Sequence, residues 1–344
     1  MGREERGTIA MIGAGSWGTA LSVALGQAGW QVGLWARRAE VADAIERERR
    51  NPQYLSEFEI PESVRPTADL GEAVSGADMV VLAVPSEGMR GVCERLAPYV
   101  NADQGVVSAA KGLEHGSGRR LSEVIGECLG PGRTGGVAVL SGPNLAPEVA
   151  AGMATASVAA CADPEFAAEV QAALSTPRFR VYTNSDVVGV ELGGALKNIV
   201  AIGAGVSDGL GFGDNTKAAL VTRGLAEITR LGVALGARPE TFRGLSGMGD
   251  LVATCAGRKS RNHRVGYELA QGRKLGDILA DMAQVAEGVE TTRAALTLAA
   301  SVGVEMPIAA AVSGVLFEGT SPLDAVRSLM TRTWRDELDE WGDA

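Results

Sequence analysis

Along the first half of the chain, short apolar runs alternate with segments whose apolar residues recur every three to four positions. The runs are Thr8–Gly13, Gln31–Trp35, Asp78–Pro85, Gly105–Ala109 and Val137–Leu140, an alternation that predicts a parallel, doubly wound sheet. Two more β-like runs, Ala156–Ala160 and Phe179–Tyr182, flank a helical pattern from Pro164 to Leu174 and extend that sheet. From Asp186 onward the period is helical almost throughout, broken by loops such as Ser207–Asn215 and Cys255–Ser260. The second domain is therefore predicted to be all-helical. The pattern changes near Asn184–Gly189, which sets the expected division at residues 1–188 and 189–344.

The length of 344 residues agrees with two cores rather than one. The net charge of −10 argues against a nucleic-acid surface, since replacing the counterions of phosphates needs a concentrated basic field. An anionic small molecule must then find a local basic pocket. The four cysteines, Cys93, Cys128, Cys161 and Cys255, are scattered without a Cys-x-x-Cys pair. Neither a zinc site nor a disulfide framework is expected, no metal is expected elsewhere, and a reducing cytoplasmic setting fits. The charged start, Met1 to Gly7, carries no apolar leader. The longest membrane-like stretch, Ala294–Phe317, is interrupted by Glu305 and Pro307; it reads as buried core helices, with no membrane insertion. The acidic end, Asp336–Asp343, reads as a solvated tail or a final helix.

Gly13-Ala14-Gly15-Ser16-Trp17-Gly18 follows an apolar strand and opens a helix with Leu21, Ala24 and Leu25 on its core face. Pyrophosphate binding needs this order: one glycine for the turn, the next to admit phosphates, the third for helix–strand packing. A Rossmann-type dinucleotide domain is the expectation. The second strand is followed by Arg37 and Arg38. Paired guanidiniums favour the 2′-phosphate of NADPH; Glu40, further into the next helix, is the argument for NADH.

Four polar clusters punctuate otherwise apolar sequence: Lys111-Gly112-Leu113-Glu114, Ser141-Gly142-Pro143-Asn144, Lys197-Asn198 and Ser260-Arg261-Asn262-His263-Arg264. Lys111 follows a predicted strand and belongs at the carboxyl edge of the sheet. Lys197 lies in Val187–Val206, a helical stretch holding Gly189, Gly193, Gly194, Gly203 and Gly205. Each glycine costs about 0.8–1.0 kcal/mol of helix propensity, so close approach of a ligand or helix must favour them. A lysine in that setting is desolvated, and its pKa falls towards a useful acid–base value. The only histidines, His115 and His263, have no obvious carboxylate partner, which makes lysine the leading proton-transfer residue. Asp250 reads equally as a group that orients a lysine ammonium or bonds a substrate hydroxyl, or as a helix N-cap. Ser260, Arg261 and Asn262 have the composition of a phosphate cradle at a helix start.

These motifs resemble the bacterial NAD(P)-dependent glycerol-3-phosphate dehydrogenase family over almost the whole chain. GAGSWGTAL, SAAKGLE, LSGPN, VYTNSDVVGVELGGALKNIVAIGAG, SDGLGFGDNTKAAL, LSGMGDLVATC, SRNHRVG and QVAEGVETT occur in the family's order. The resemblance implies a Rossmann-type domain followed by an all-helical, 6-phosphogluconate-dehydrogenase-like domain. It also implies reduction of dihydroxyacetone phosphate to sn-glycerol 3-phosphate with NADP(H) or NAD(H), for glycerophospholipid synthesis, in a homodimer. Lys197 becomes the proton donor, Lys111 a contact to cofactor and substrate, and Asp250, Ser260, Arg261, Asn262 and Gly142 substrate contacts. Gly13, Gly15, Ser16, Trp17, Gly18, Arg37, Arg38, Tyr54, Ala146, Arg261, Val285 and Glu287 become cofactor positions. The chain departs from the family at Asn144, where serine or threonine is common, and at Pro147; asparagine still offers a donor to a phosphate or hydroxyl. Rival expectations are a 3-hydroxyacid or ketopantoate reductase, which would lack the Ser260–Asn262 cradle, and a non-catalytic NADP(H)-binding protein, which would need no converging lysines.

Overall fold

The computed structural model describes residues 6–130, 136–257, 260–282, 284–334 and 336–337. Of the acidic C-terminal run, all but Asp336 and Glu337 lies outside them. The chain divides into two compact units, residues 1–110 with 121–187, and 111–120 with 188–344. The sequence pattern gave no sign that 111–120 leaves the first unit. The segment does so because Leu113 is buried in the second unit's apolar core, and because Lys111 and Arg120 pair with Asp250 and Glu191 of that unit. A single bridge between Leu113 and Arg120 closes the excursion.

The first unit is an eight-stranded sheet, β1 (Thr8–Ile12), β2 (Gln31–Trp35), β3 (Val64–Thr67), β4 (Met79–Leu82), β5 (Gly105–Ser108), β6 (Val137–Ser141), β7 (Thr155–Ala160) and β8 (Phe179–Asn184). Their order is β3-β2-β1-β4-β5-β6-β7-β8. The helices α1 (Ser16–Gln27), α2 (Ala39–Glu48), α3 (Leu70–Val74), α4 (Met89–Leu96), α5 (Leu121–Leu129), α6 (Ala146–Ala150) and α7 (Pro164–Leu174) connect them. Both faces of the sheet are covered: on β1, Ile9 and Met11 join a core with α1, α2 and α7, while Ala10 and Ile12 join one with α3, α4 and α5. Successive strands run outward in opposite directions from the β1–β4 pair, which makes that pair the topological switch point where such sheets bind ligands.

Two features differ from the expectation. β3 was not expected; it is four residues long and includes Pro66, and a proline interrupts the strand signal, although an edge strand tolerates it. β7 runs antiparallel to β6, so the sheet is mixed rather than wholly parallel. The connection between them contains only the five-residue α6. That helix rises about 7.5 Å, too little to carry the chain back along a strand of about 17 Å.

The second unit comprises α8 (Val187–Gly209), α9 (Asp214–Ala234), α10 (Pro239–Phe242), α11 (Asp250–Ala256), α12 (Arg261–Ala270), α13 (Leu275–Ala280), α14 (Gly288–Ser301), α15 (Pro307–Phe317) and α16 (Pro322–Met330). No strand is assigned among its described residues. α8 is its spine, with Leu192, Leu196, Ile199 and Ile202 inside the core. It is long and apolar enough to cross a membrane, yet most of that stretch is buried within the protein. The membrane-like stretch Ala294–Phe317 is divided between α14 and α15.

Candidate active site

The glycine turn of the first unit carries three glycines for three different reasons. Gly13 has φ +122°, and a Cβ there would lie 2.6 Å from the Ala83 carbonyl oxygen after β4. At Gly18 a Cβ would lie 1.8 Å from the Gly13 oxygen, so only glycine lets α1 pack against the turn. Gly15 is the opposite case: nothing lies within 4 Å of the position its Cβ would take. α1 begins there with no side-chain cap and no acidic residue in its first turn. An uncapped helix start with no nearby acidic side chain suits a phosphate anion, through its N–H groups and dipole. The turn therefore fits a dinucleotide's pyrophosphate.

Around this turn, Ser16 and Trp17 form the first turn of α1, and the Trp17 ring lies 6.3 Å from that of Phe179. Arg37 and Arg38 are exposed directly after β2, and Arg38 hydrogen-bonds Gln53. Tyr54 is half-buried, and its N–H donates to Asn51 Oδ1 at 3.2 Å. The fully buried Asn51 in turn donates to the Ala14 oxygen and Thr19 Oγ1, each at 2.9 Å. That side chain hangs the Tyr54 loop on the glycine turn. Sequence reasoning named Tyr54 and missed Asn51, because a lone asparagine in a loop carries no pattern.

The loop after β6 holds Gly142 at φ +147°, where a Cβ would come within 3.0 Å of Ser157 Cα. Asn144 Nδ2 donates to Ser157 Oγ at 3.0 Å, so the amide donor is engaged within its own unit. Its Oδ1 is buried with no partner among the described residues. Ala146 opens α6 beside the core.

In the second unit, Lys197 sits midway along α8, 7% exposed. Its Nζ donates to Asp250 Oδ1 at 2.5 Å and to Thr254 Oγ1 at 2.7 Å. Lys111 Nζ donates to Asp250 Oδ2 at 2.7 Å. One buried carboxylate thus holds two ammonium groups, one on each oxygen. Of the two readings of Asp250, the structure has the lysine partner; the residue capping α11 is Gly249. Burial lowers the Lys197 pKa to about 8, the Asp250 charge opposing it and the Lys111 charge adding to it.

Local packing builds this cluster. A Cβ on Gly193 would lie 2.8 Å from the Ser246 oxygen, so α8 rests directly on the π-helical turn Leu245–Gly249 that leads into Asp250. Thr254 follows Asp250 by one helical turn, hence on the same face. Its hydroxyl donates to the Asp250 carbonyl at 2.6 Å, which turns a lone pair towards Lys197. The sequence reading missed Thr254; its spacing from Asp250 was the available signal. Neighbouring Cys255 is buried, and burial pushes its thiol up to about 12, so it stays neutral.

Ser260 caps α12, its Oγ accepting the His263 N–H at 3.3 Å. Arg261 is exposed and donates to the Val285 oxygen at 2.8 Å. Asn262 is buried, and its Oδ1 accepts the Gly288 N–H at 3.0 Å. Glu287 stands at the cap of α14, and a Cβ on the next residue, Gly288, would lie 2.7 Å from the Asn198 oxygen. The Ser260–Arg261–Asn262 turn is thereby joined through Gly288 to Asn198, the residue after Lys197. Among the described residues, no three His, Cys, Asp or Glu side chains group to hold a metal ion.

A capless helix behind a glycine turn at a sheet's switch point, together with a buried lysine clamped by a carboxylate in a helical unit, defines a nicotinamide-dependent oxidoreductase. Comparison with known proteins narrows the class. The family described as NAD-dependent glycerol-3-phosphate dehydrogenase matches twice, its N-terminal part over residues 8–167 and its C-terminal part over 186–327. The chain belongs to that family. It is 50% identical over 328 residues to the glycerol-3-phosphate dehydrogenase [NAD(P)+] of Streptomyces avermitilis, covering 95% of this chain and 97% of that one. The corresponding protein of Chlorobium limicola is 49% identical, covering 96% and 99%. The crystal structure of glycerol-3-phosphate dehydrogenase from Coxiella burnetii superposes with a TM-score of 0.90 at 39% identity, over 96% of this chain and 100% of that one. A ketopantoate reductase from Ralstonia eutropha, the rival class, shares the fold alone, with a TM-score of 0.58 at 18% identity.

Proposed function

We propose that this enzyme reduces dihydroxyacetone phosphate to sn-glycerol 3-phosphate, using NADPH in preference to NADH, and that it works as a cytoplasmic homodimer supplying glycerophospholipid synthesis. The observation that carries the reading is the Asp250 carboxylate shared by Lys197 and Lys111. The nicotinamide supplies the hydride when bound. Lys197 holds a proton at Nζ for the substrate's carbonyl oxygen. A pKa of about 8 keeps it an ammonium near neutral pH yet lets it release that proton. Lys111 adds positive charge where the alkoxide develops, and Asp250 offsets both cations and fixes their direction. Arg261, with Ser260 and Asn262, takes the substrate phosphate through a planar fork and two polar donors; Gly142 and Asn144 are assigned to the substrate as well. Gly13, Gly15, Ser16, Trp17, Gly18, Tyr54, Ala146, Val285 and Glu287 serve the dinucleotide, and Arg37 and Arg38 its 2′-phosphate. High identity to relatives bearing the [NAD(P)+] name supports the reaction, and the two exposed arginines support the cofactor order.

The test is nicotinamide absorbance with dihydroxyacetone phosphate, run with NADPH and NADH on wild type and Lys197→Met. Methionine keeps the apolar stem, so folding and NADPH binding should persist while turnover falls by about 10²- to 10⁴-fold. Retention of more than about a tenth of the turnover rules out the proton-donor role.

A further inference from the structure

The helical unit contains a second charged cluster that the reaction does not use. Asp208, in the last turn of α8, accepts from Lys217 of α9 and from Nε2 of His263 of α12, each at 2.8 Å. A carboxylate only accepts, so Nε2 carries the hydrogen. Burial alone would raise the Asp208 pKa; the bonds from Lys217 and His263 outweigh it and hold the carboxyl below its ordinary range. The His263 side chain is 5% exposed and sits in the first turn of α12, directly after Ser260, Arg261 and Asn262. One carboxylate thus ties three helices together at the root of the anion cradle.

Main-chain packing gives this tie its purpose. A Cβ on Gly205 would lie 1.9 Å from the His263 oxygen, and a Cβ on Gly266 would lie 1.9 Å from the Ile202 oxygen. α8 and α12 therefore touch backbone to backbone. Contacts of this kind fix the separation of two helices, but without side chains interlocked in grooves they resist sliding weakly. Two hydrogen bonds restrain the crossing directionally: His263 to Asp208 at the cradle end of α12, at 2.8 Å, and Gln271 Nε2 to the Gly209 oxygen at its far end, at 2.7 Å; only the first lies beside Ser260, Arg261 and Asn262. Asp208 lies eleven positions beyond Lys197 on the same helix, about 16 Å along its axis, so α8 serves as the ruler between them.

We propose that Asp208, with His263 and Lys217 as its donors, is a positioning residue that stops α12 from sliding on α8 and so holds the Ser260–Arg261–Asn262 anion site in register with Lys197. The proposal rests on the reading of that site as the phosphate cradle. Loosening the clamp should cost affinity for the phosphate and leave the chemistry at the carbonyl almost untouched.

The test compares dihydroxyacetone phosphate with unphosphorylated dihydroxyacetone for Asp208→Asn, His263→Ala, His263→Gln and Arg261→Ala. Asp208→Asn and His263→Ala should raise KM for the phosphorylated ketone about tenfold or more, the size of a lost charge-assisted bond. Their kcat should stay within about threefold, and kcat/KM for the unphosphorylated ketone within about twofold. Glutamine offers a donor at similar reach, so His263→Gln should recover most of the KM; a merely structural histidine would not show this pairing of KM loss and rescue. Equal losses on both ketones, an unchanged KM in both Asp208→Asn and His263→Ala, or no rescue by glutamine overturns the proposal. If Asp208→Asn fails to fold, the His263 pair decides. Arg261→Ala separates the two layers: if it does not discriminate between the ketones, the cradle and the clamp fall together, and if it does while Asp208→Asn does not, the clamp alone falls.

Discussion

Replacing Asp250 by Asn keeps the shape of the side chain and removes the charge between two ammonium groups. Asp250 raises the Lys197 pKa against burial and against Lys111, with the net value about 8. A hydrogen bond to a charged partner contributes about 1.5–3 kcal/mol, which converts to about one to two pKa units. The Lys197 pKa in Asp250→Asn should then fall further, by about one to two units, because asparagine supplies one oxygen, no charge, and an NH₂ turned towards one of the lysines. At pH values above the pKa, each unit of that fall costs about tenfold in ammonium fraction, and the reductive rate should drop with it. The sign in the two directions differs. On the proposed role of Lys197, reduction needs the ammonium, so its rate should fall as pH rises through about 8 in wild type. Oxidation of glycerol 3-phosphate needs the neutral amine, so its rate rises over the same range. The assay is kcat against pH in both directions for wild type and variant, with NADPH binding as the control for folding. Both limbs should move to lower pH by about one to two units in Asp250→Asn. If the limbs stay put in a folded variant, Lys197 is not the group that titrates, and the coupling derived from the shared carboxylate is wrong.

Two further outcomes follow from other sites. Arg37→Ala with Arg38→Ala should weaken NADPH binding far more than NADH binding, each lost charge-assisted contact being worth about 1.5–3 kcal/mol; equal loss for both cofactors in a fluorescence titration refutes the 2′-phosphate role. Glu227 of α9 is buried and accepts the N–H groups of Ile308 and Ala309; burial raises its pKa from 4.5 to about 7, those hydrogen bonds opposing the shift. A raised folded-state pKa contributes stability that is complete below 4.5 and lost as pH rises through about 7. The loss is on the order of 3 kcal/mol. Denaturant unfolding of Glu227→Gln should show that pH slope removed; an unchanged slope means Glu227 does not ionise in this range.

The parts of the site that could be read from sequence are those whose residues announce themselves locally. Gly13, Gly15 and Gly18 belong to one turn between a strand and a helix; Gly13 and Gly18 are used within that turn or against the strand end beside it, and Gly15 leaves open space. Lys197 was visible because a charge among glycines and aliphatics conflicts with its surroundings, and that conflict is the desolvation that lowers its pKa. Partnerships across distance were not visible. His263 lacks a carboxylate within its own segment, yet Asp208 reaches it from 55 positions away through the α8–α12 crossing. The excursion of 111–120 was hidden for a related reason. Its two charged anchors, Lys111 and Arg120, meet Asp250 and Glu191 only in the folded chain, and one buried leucine, Leu113, is too short an apolar signal to mark a change of unit.

Glycine shows where sequence runs out even when it points to the right place. Close approach of a ligand or a helix would explain the glycines of α8, and a letter in the sequence does not distinguish the two. At Gly193 and Gly205 the neighbour is protein backbone, at 2.8 and 1.9 Å from a notional Cβ; at Gly15 it is open space. The difference has consequences for substitution. Alanine at Gly205 would force α12 away from α8 whatever is bound, because the obstructing atom is a main-chain oxygen that cannot rotate aside. At Gly15 the added methyl would meet no protein atom within 4 Å, so the folded chain itself does not exclude it. Gly193 and Gly205 of α8, at about 0.8–1.0 kcal/mol each, thus serve main-chain contacts with the turn before Asp250 and with the helix behind Ser260. Those contacts bring Lys197, Asp250 and the Ser260–Arg261–Asn262 turn onto one spine.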